Sequence, residues 1–372
     1  MSWFSRIRLE QMVKKEAKQL LRDPKAKPLL LVSPIVQFIL LAYATTTDVN
    51  HIRTVIVDQD QSADSRALVQ AYQATGYFDI TEHAIRLERI PEVLDRGEAM
   101  VRIVIPPRFS SDLRSRRGAK IQALIDGSDA SVATVAQSYV GQVAAAWGTK
   151  VSGAIRPAAG AELRARAWFN PSLESRLFNV PAIMGTLMLT TCLMLTTMTL
   201  VREREIGTLD QLLVSPVTSL EIMLGKMTPV MGVGLFHLLI FVSLTLFHFG
   251  VPFRGSVASV ALASFLYLLA SMAIGLLVSA VSATQQEAFM LMILIMLPTI
   301  ILSGFLSPIE TMPKAFQWLT LINPVRHYLD IVRGVFLKGT GLVELWPQFG
   351  ALALTSIGGL VLAGNRFRRS IA

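Results

Sequence analysis

Asp58, Asp60 and Ser62 sit at the spacing that opens a calcium-binding loop, a pattern of residue types able to do chemistry. Such a loop also needs Gly at its sixth position and Glu at its twelfth. Counted from Asp58, those positions hold Ala63 and Val69. The stretch therefore reads as a strand ending in a polar turn, with Ser62 as the N-cap of a helix. Residues 126–131, DGSDAS, read the same way, with Ser128 or Asp129 as the cap. No H-E-x-x-H, C-x-x-C or G-x-S-x-G occurs, which leaves a hydrolase reading without support. The phosphate loop G-x-x-x-x-G-K-S/T is also missing, so if ATP powers this chain, another subunit binds it. We expect no catalytic, metal or cofactor residues here. The single cysteine, Cys192, lies in an apolar run and reads as a small buried side chain.

The elements that carry these residues are set by composition. Hydrophobic residues make up 52% of the 372 residues and charged residues 16%, with mean hydropathy +0.50. Soluble domains average about 25% charged. The apolar residues gather in runs near the roughly 20 residues needed to cross a bilayer. Six spans are expected, at about 29–46, 177–201, 227–250, 257–282, 288–307 and 346–364, of which the last is Gly-rich and marginal. Within them no Asp, Glu, Lys or Arg appears, and His237 and His248 are the titratable residues. A lone histidine in such a run packs or hydrogen-bonds more often than it relays protons. Ion-coupled carriers place charged groups inside the bilayer, so the energy source is expected outside these spans.

The net charge of +9 does not point to nucleic acid, because much of the excess flanks the spans. Residues 1–28 hold eight Lys/Arg against three Asp/Glu, and the tail adds Arg366, Arg368 and Arg369. Basic flanks mark the cytoplasmic side, which places both termini there, as an even span count requires. In residues 3–22, Trp3, Phe4, Ile7, Val13, Ala17 and Leu21 share one side, with Lys14, Lys15, Lys18 and Arg22 elsewhere. That pattern suits a helix lying in the lipid interface. Ala42-Tyr43-Ala44 fits a signal-peptidase pattern, but the long, mixed-charge, helical region before it favours a retained span.

Residues 47–175 change character, with short β-rich runs alternating with helical ones. RTVIVD and AMVRIVIP read as strands, 62–76 as a helix, IPEVLDRG as a short helix, and a long helix starts near 129. This is an α/β domain on the far side of the membrane. The fold class is thus a polytopic α-helical membrane protein with an interfacial N-terminal helix (1–28), a first transmembrane helix (29–46), a large α/β extracytoplasmic domain (47–175), and transmembrane helices 2–6 (176–372).

Between the second and third spans, VREREIGTLDQLLVSPVTSLE carries its own punctuation. Gly207 can end the helix of the second span, and Thr208 to Gln211 forms a capping box for a short new helix. Leu209, Leu212 and Leu213 give that helix one apolar face. Pro216 stops it, and Thr218 with Glu221 makes a second box leading into the third span. Pro298 suggests a kink in the fifth span.

The run Glu203-Arg204-Glu205-x-Gly207-Thr208-Leu209-x-x-Leu212-Leu213-x-x-Pro216 resembles the signature of ABC-2-type exporter permeases. The block 303–339, SGFLSPIETMPKAFQWLTLINPVRHYLDIVRGVFLKG, is similar to that family's segment after the fifth span, and the order of domains agrees along essentially the whole chain. The resemblance implies that 202–222 holds the coupling helix that docks on a separate ABC ATPase subunit carrying ATP and Mg. Glu203 and Glu205 would offer charge to it, Arg204 would pair with them or with lipid phosphate, and Leu209, Leu212 and Leu213 would fill its groove. Anchoring the end of the second span is the alternative role for these charges. In 303–339 the resemblance implies a re-entrant external segment, with Pro308, Pro313 and Pro324 breaking the backbone and Phe305, Phe316 and Trp318 gating or packing. It further implies a bacterial inner-membrane location, pairing with a second permease copy or a paralogue, a place for a periplasmic adaptor, and export of drug-like or lipidic compounds. An ion-coupled carrier and a membrane-anchored sensor are the alternatives of other classes.

Overall fold

The computed structural model describes residues 5–22, 26–45, 51–83, 99–115, 118–126, 130–152, 174–208 and 217–371. The chain divides into two units, one of Met1–Thr46 with Glu174–Ala372 and one of Thr47–Leu173.

The first unit opens with α1 (Arg6–Arg22), followed by α2 (Ala26–Leu31) and α3 (Ser33–Thr45). The inward stripe of α1 carries Met12 and Glu16, both buried, whereas Ile7 is exposed. That differs from the expected apolar side: a charged residue takes an inward position, and Trp3, Phe4 and the Leu21 side chain lie outside the described residues. The first apolar run is not one helix. It breaks at Val32, and Pro34 sits in the first turn of α3, where a missing N–H costs nothing. With 13 residues, α3 is about 20 Å long. Phe38 is fully buried and stacks on Phe241 at 4.8 Å, which fixes α3 against the third apolar helix along the chain.

In the second unit, β1 (Ile52–Asp58), α4 (Ala63–Gln73), β2 (Phe78–His83), β3 (Val101–Ile105), α5 (Phe109–Arg114), β4 (Gln122–Ile125) and α6 (Ala130–Ser152) follow in order. The sheet order is β2-β1-β3-β4, with β1 parallel to both neighbours and β4 antiparallel to β3. Val55, Ile56 and Val57 are all buried, as a central strand covered on both faces requires. The polar turn after β1 is structural. Asp58 Oδ1 accepts from the N–H groups of Asp60 and Gln61, Oδ2 accepts from Ser65 Oγ at 2.6 Å, and Ser62 Oγ caps α4 by accepting from Ser65 N. The expected caps at Ser128 and Asp129 and the helix IPEVLDRG lie outside the described residues.

The first unit resumes with α7 (Ser175–Ile206), α8 (Ser219–Ser243, continued by a π turn to His248), α9 (Val257–Val281) and α10 (Gln285–Ile301). A loop with the short α11 (Lys314–Thr320) leads to α12 (Pro324–Arg333) and α13 (Trp346–Ile371). Among the described residues, four helices are long and apolar enough to cross a membrane: Ser175–Ile206, Ser219–His248, Val257–Val281 and Trp346–Phe367. The last, marginal by composition, is 22 residues long, while α3 and α10 are shorter apolar helices. This is the build of a polytopic membrane protein.

α7 is the most enclosed of the four and forms the centre of the unit. Small residues let its neighbours close on it. A Cβ on Gly275 would lie 3.0 Å from the Leu193 carbonyl oxygen, and Thr197 Oγ1 donates to the Gly275 carbonyl. Tyr267 and Tyr328 stack at 4.1 Å beside α7, and Tyr267 donates to the Gly185 carbonyl. Pro298 falls in the last turn of α10, four residues before its C-cap at Leu302, so it marks the end of that helix more than a bend in its middle.

Candidate functional site

The segment singled out by its punctuation leaves α7 at Gly207 and re-enters at α8. Gly207 is the C-cap, with φ +77°, the left-handed conformation that favours glycine. Thr218 caps α8 through a complete capping box with Glu221. Both ends of the segment thus form as their residues dictate. Leu209, Leu212, Leu213 and Pro216 lie outside the described residues.

Glu203, Arg204 and Glu205, at the end of α7, turn to different elements. Glu205 is exposed and accepts from the side-chain amide of Gln285 at 2.7 Å and from its backbone N–H at 3.3 Å, at the N-terminus of α10. Negative charge is stabilising there. Arg204 donates to the Ser282 carbonyl at 2.9 Å and the Ser279 carbonyl at 3.4 Å, where α9 leaves carbonyls without intrahelical partners. Glu203 turns inward and is only 5% exposed.

Around Glu203 two lysines and two glutamates alternate. Lys15 lies 2.8 Å from Glu203 Oε1 and 3.1 Å from Glu16 Oε1; Lys226 lies 2.7 Å from Glu203 Oε2 and 3.2 Å from Glu16 Oε1. Glu16, Glu203 and Lys226 are buried, and Lys15 closes the group from a half-exposed position. Burial pulls the Lys15 ammonium toward a lower pKa, but its hydrogen bond to Glu203 and the charge of Glu16 outweigh that and hold it above the usual lysine value. A second anchor lies on the other side of the segment. Glu221, fully buried, accepts from Ser5 N at 2.7 Å, Arg8 Nε at 3.2 Å and Thr218 N at 2.7 Å.

The carboxylate of Glu203, expected as a charge offered to a partner, is engaged within the chain by Lys15 and Lys226. Arg204 likewise pairs with backbone carbonyls. Glu16, Lys226 and Glu221 were missed as site residues. The expected second and third spans, 177–201 and 227–250, hold no charge, but α7 and α8 extend past those limits and carry Glu203, Glu221 and Lys226. The available signal was Glu16 four residues after Met12, on the same helix face.

In the 303–339 block each of the three prolines stands at the start of a short helical element. Pro308 precedes a 3₁₀ turn, Pro313 precedes α11, and Pro324 is the first residue of α12, capped by Asn323. Phe305 packs against the core, whereas Phe316 and Trp318 are exposed, Trp318 by 73%. The polar face of α12 ties the preceding loop down: Arg326 bonds Thr320 Oγ1, His327 Nε2 contacts the Leu321 carbonyl, and Arg333 donates to the Gly304 carbonyl and lies 3.5 Å over the Phe178 ring. His237 is buried and stacks on Phe241, and His248 pairs with the Tyr43 hydroxyl at 2.8 Å.

A family model described as ABC-2 family transporter protein matches residues 28–364. The chain is 32% identical over 367 residues, 98% of its length and 99% of the relative's, to the probable multidrug ABC transporter permease YbhR of Escherichia coli. It is 31% identical over 368 residues, 96% of each chain, to the inner membrane transport permease YhhJ of Escherichia coli. A more distant match, 24% identical, covers 89% of this chain and 46% of ABC transporter G family member 20 of Dictyostelium discoideum.

Proposed function

The chain belongs to the ABC-2 transporter family, and from that premise we propose that it is the membrane-spanning half of an ATP-driven exporter of drug-like or lipidic compounds, located in a bacterial inner membrane. Two permease chains, identical or paralogous, assemble with two ATPase subunits that bind ATP and Mg. The observation that carries this reading is a family match across 28–364 in a chain whose sequence has no phosphate loop. The name of the YbhR relative supports the cargo class.

In this reading six helices cross the membrane, with α2 and α3 together as the first and α10 as the fifth. Both termini face the cytoplasm, and the α/β unit lies outside, where an adaptor would dock. The segment between Gly207 and Thr218 receives the push of the closing ATPase subunits. Thr208, Leu209, Leu212, Leu213 and Pro216 shape and fill the docking surface, with Glu205 at its edge. Glu203 and Arg204 hold the end of α7. Phe305, Pro308, Pro313, Phe316, Trp318 and Pro324 belong to the external gate. Every relative named above is called an ABC transporter or a transport permease, which favours this reading over an ion-coupled carrier or a sensor.

The test is co-purification of an ATP-binding subunit with the wild-type chain and with Leu212→Asp. Wild type retains the subunit and the variant loses it; equal retention refutes the docking assignment.

A further inference from the structure

We infer that α1 is locked to the ends of α7 and α8 as one rigid frame that moves as a unit during transport, with Glu16, Lys226 and Glu221 as its positioning residues. The inference rests on the coupling role of the 207–218 segment and goes beyond it by naming what carries motion from that segment into the helices.

Three observations converge. First, α1 grips both ends of the segment. Lys15 holds Glu203, one turn before the exit at Gly207, and Arg8 with Ser5 N holds Glu221, one turn after Thr218. Lys15 and Arg8 are two helical turns apart, about 10 Å along one face, so a single rigid helix spans the base of the segment. Second, α1 rides on the backbone of α8. A Cβ on Gly225 would lie 2.4 Å from Met12 Cγ, so the Met12 side chain rests on the α8 backbone with no α8 side chain in between. Third, α1 supplies ion-pair partners to buried charges of α7 and α8. Its departure would strip the buried Glu203–Lys226 pair of Glu16 and Lys15, and would leave Glu221, also buried, without the counter-charge of Arg8. An uncompensated buried charge is strongly disfavoured. The segment's two ends are therefore fixed to each other through α1, and a push on the segment tilts α7 and α8 together instead of bending the connection.

The test uses the full chain with its ATPase subunit in lipid nanodiscs and proteoliposomes. Met12→Cys with Gly225→Cys places two thiols where the helices touch, in a chain whose own cysteine is buried. If the frame is rigid, oxidation of this pair leaves ATP-dependent transport within about twofold of the reduced form, because the disulfide restrains nothing that moves. A tenfold or greater loss on oxidation, reversed by reductant, overturns the inference. A second series stands independently of that pair. Glu16→Gln and Lys226→Met each leave one buried charge unbalanced and are expected to lower transport per ATP hydrolysed by roughly fivefold or more, while the double variant recovers toward wild type because Lys15 and Glu203 still neutralise each other. Losses that simply multiply in the double variant, or single variants that couple like wild type, overturn it. Failure of the wild-type chain to bind an ATPase subunit would instead refute the coupling reading itself.

Discussion

At the scale of single residues, charge burial decides which side chains matter for stability. Glu203→Gln leaves Lys226 facing a carboxamide in a site that is almost closed to solvent. Breaking a buried pair in this way costs about 3–5 kcal/mol. Glu205→Gln, at an exposed position, is expected to cost less than about 1 kcal/mol. Thermal unfolding of the two purified variants in detergent gives the comparison, and equal losses would contradict the burial argument. In the α/β unit, the hydrogen bond from Ser110 Oγ, aided by Arg114, holds the Asp64 carboxyl below its ordinary value despite some burial. A depressed folded-state pKa contributes stability above the unfolded value, near 3.9, and that contribution is lost as pH falls through the folded value. The protection of amides in 52–73 of the full chain, taken relative to their intrinsic exchange rates at each pH, should therefore fall in acid, and Asp64→Asn should remove that part of the pH dependence. Gly207 and the Thr218–Glu221 box were legible in the sequence because caps are written in local chemistry. Glu16 and Lys226 were not, because a charge on an inward face is recognised only when the partners from other helices are known.

At the scale of elements, the loop between α10 and α12 combines firm tethers with an exposed apolar surface. Arg333 holds Gly304, and Asn323 Nδ2 donates to the Thr299 carbonyl, yet Phe316, Trp318 and Ile322 face away from this chain's core. A side chain so exposed contributes little to folding, so Trp318→Ala should shift stability by less than about 0.5 kcal/mol. If α11 belongs to the exit gate, the same variant lowers transport severalfold, and unchanged transport would remove Trp318 from the gate. The apolar runs made the helices legible. The break at Val32 and the outward set of α11 were not, since a run of leucines reads the same whether it is one helix or two and whichever way it faces.

At the scale of the whole molecule, the proposed docking of an ATPase subunit makes the short connection between α7 and α8 the point of energy input. The family was legible because the signature residues and the order of domains span nearly the whole chain, and the match over 28–364 agrees with that reading. The internal frame became visible only once α1, α7 and α8 were brought together. The most direct measurement is cargo accumulation in inverted vesicles containing the full chain and its ATPase subunit, with wild type compared with Leu212→Asp in the presence and absence of a protonophore. Wild type is expected to accumulate cargo in an ATP-dependent way that survives the protonophore, and Leu212→Asp to lose that accumulation together with ATPase binding. Accumulation that persists without the ATPase subunit and collapses with the protonophore would contradict it.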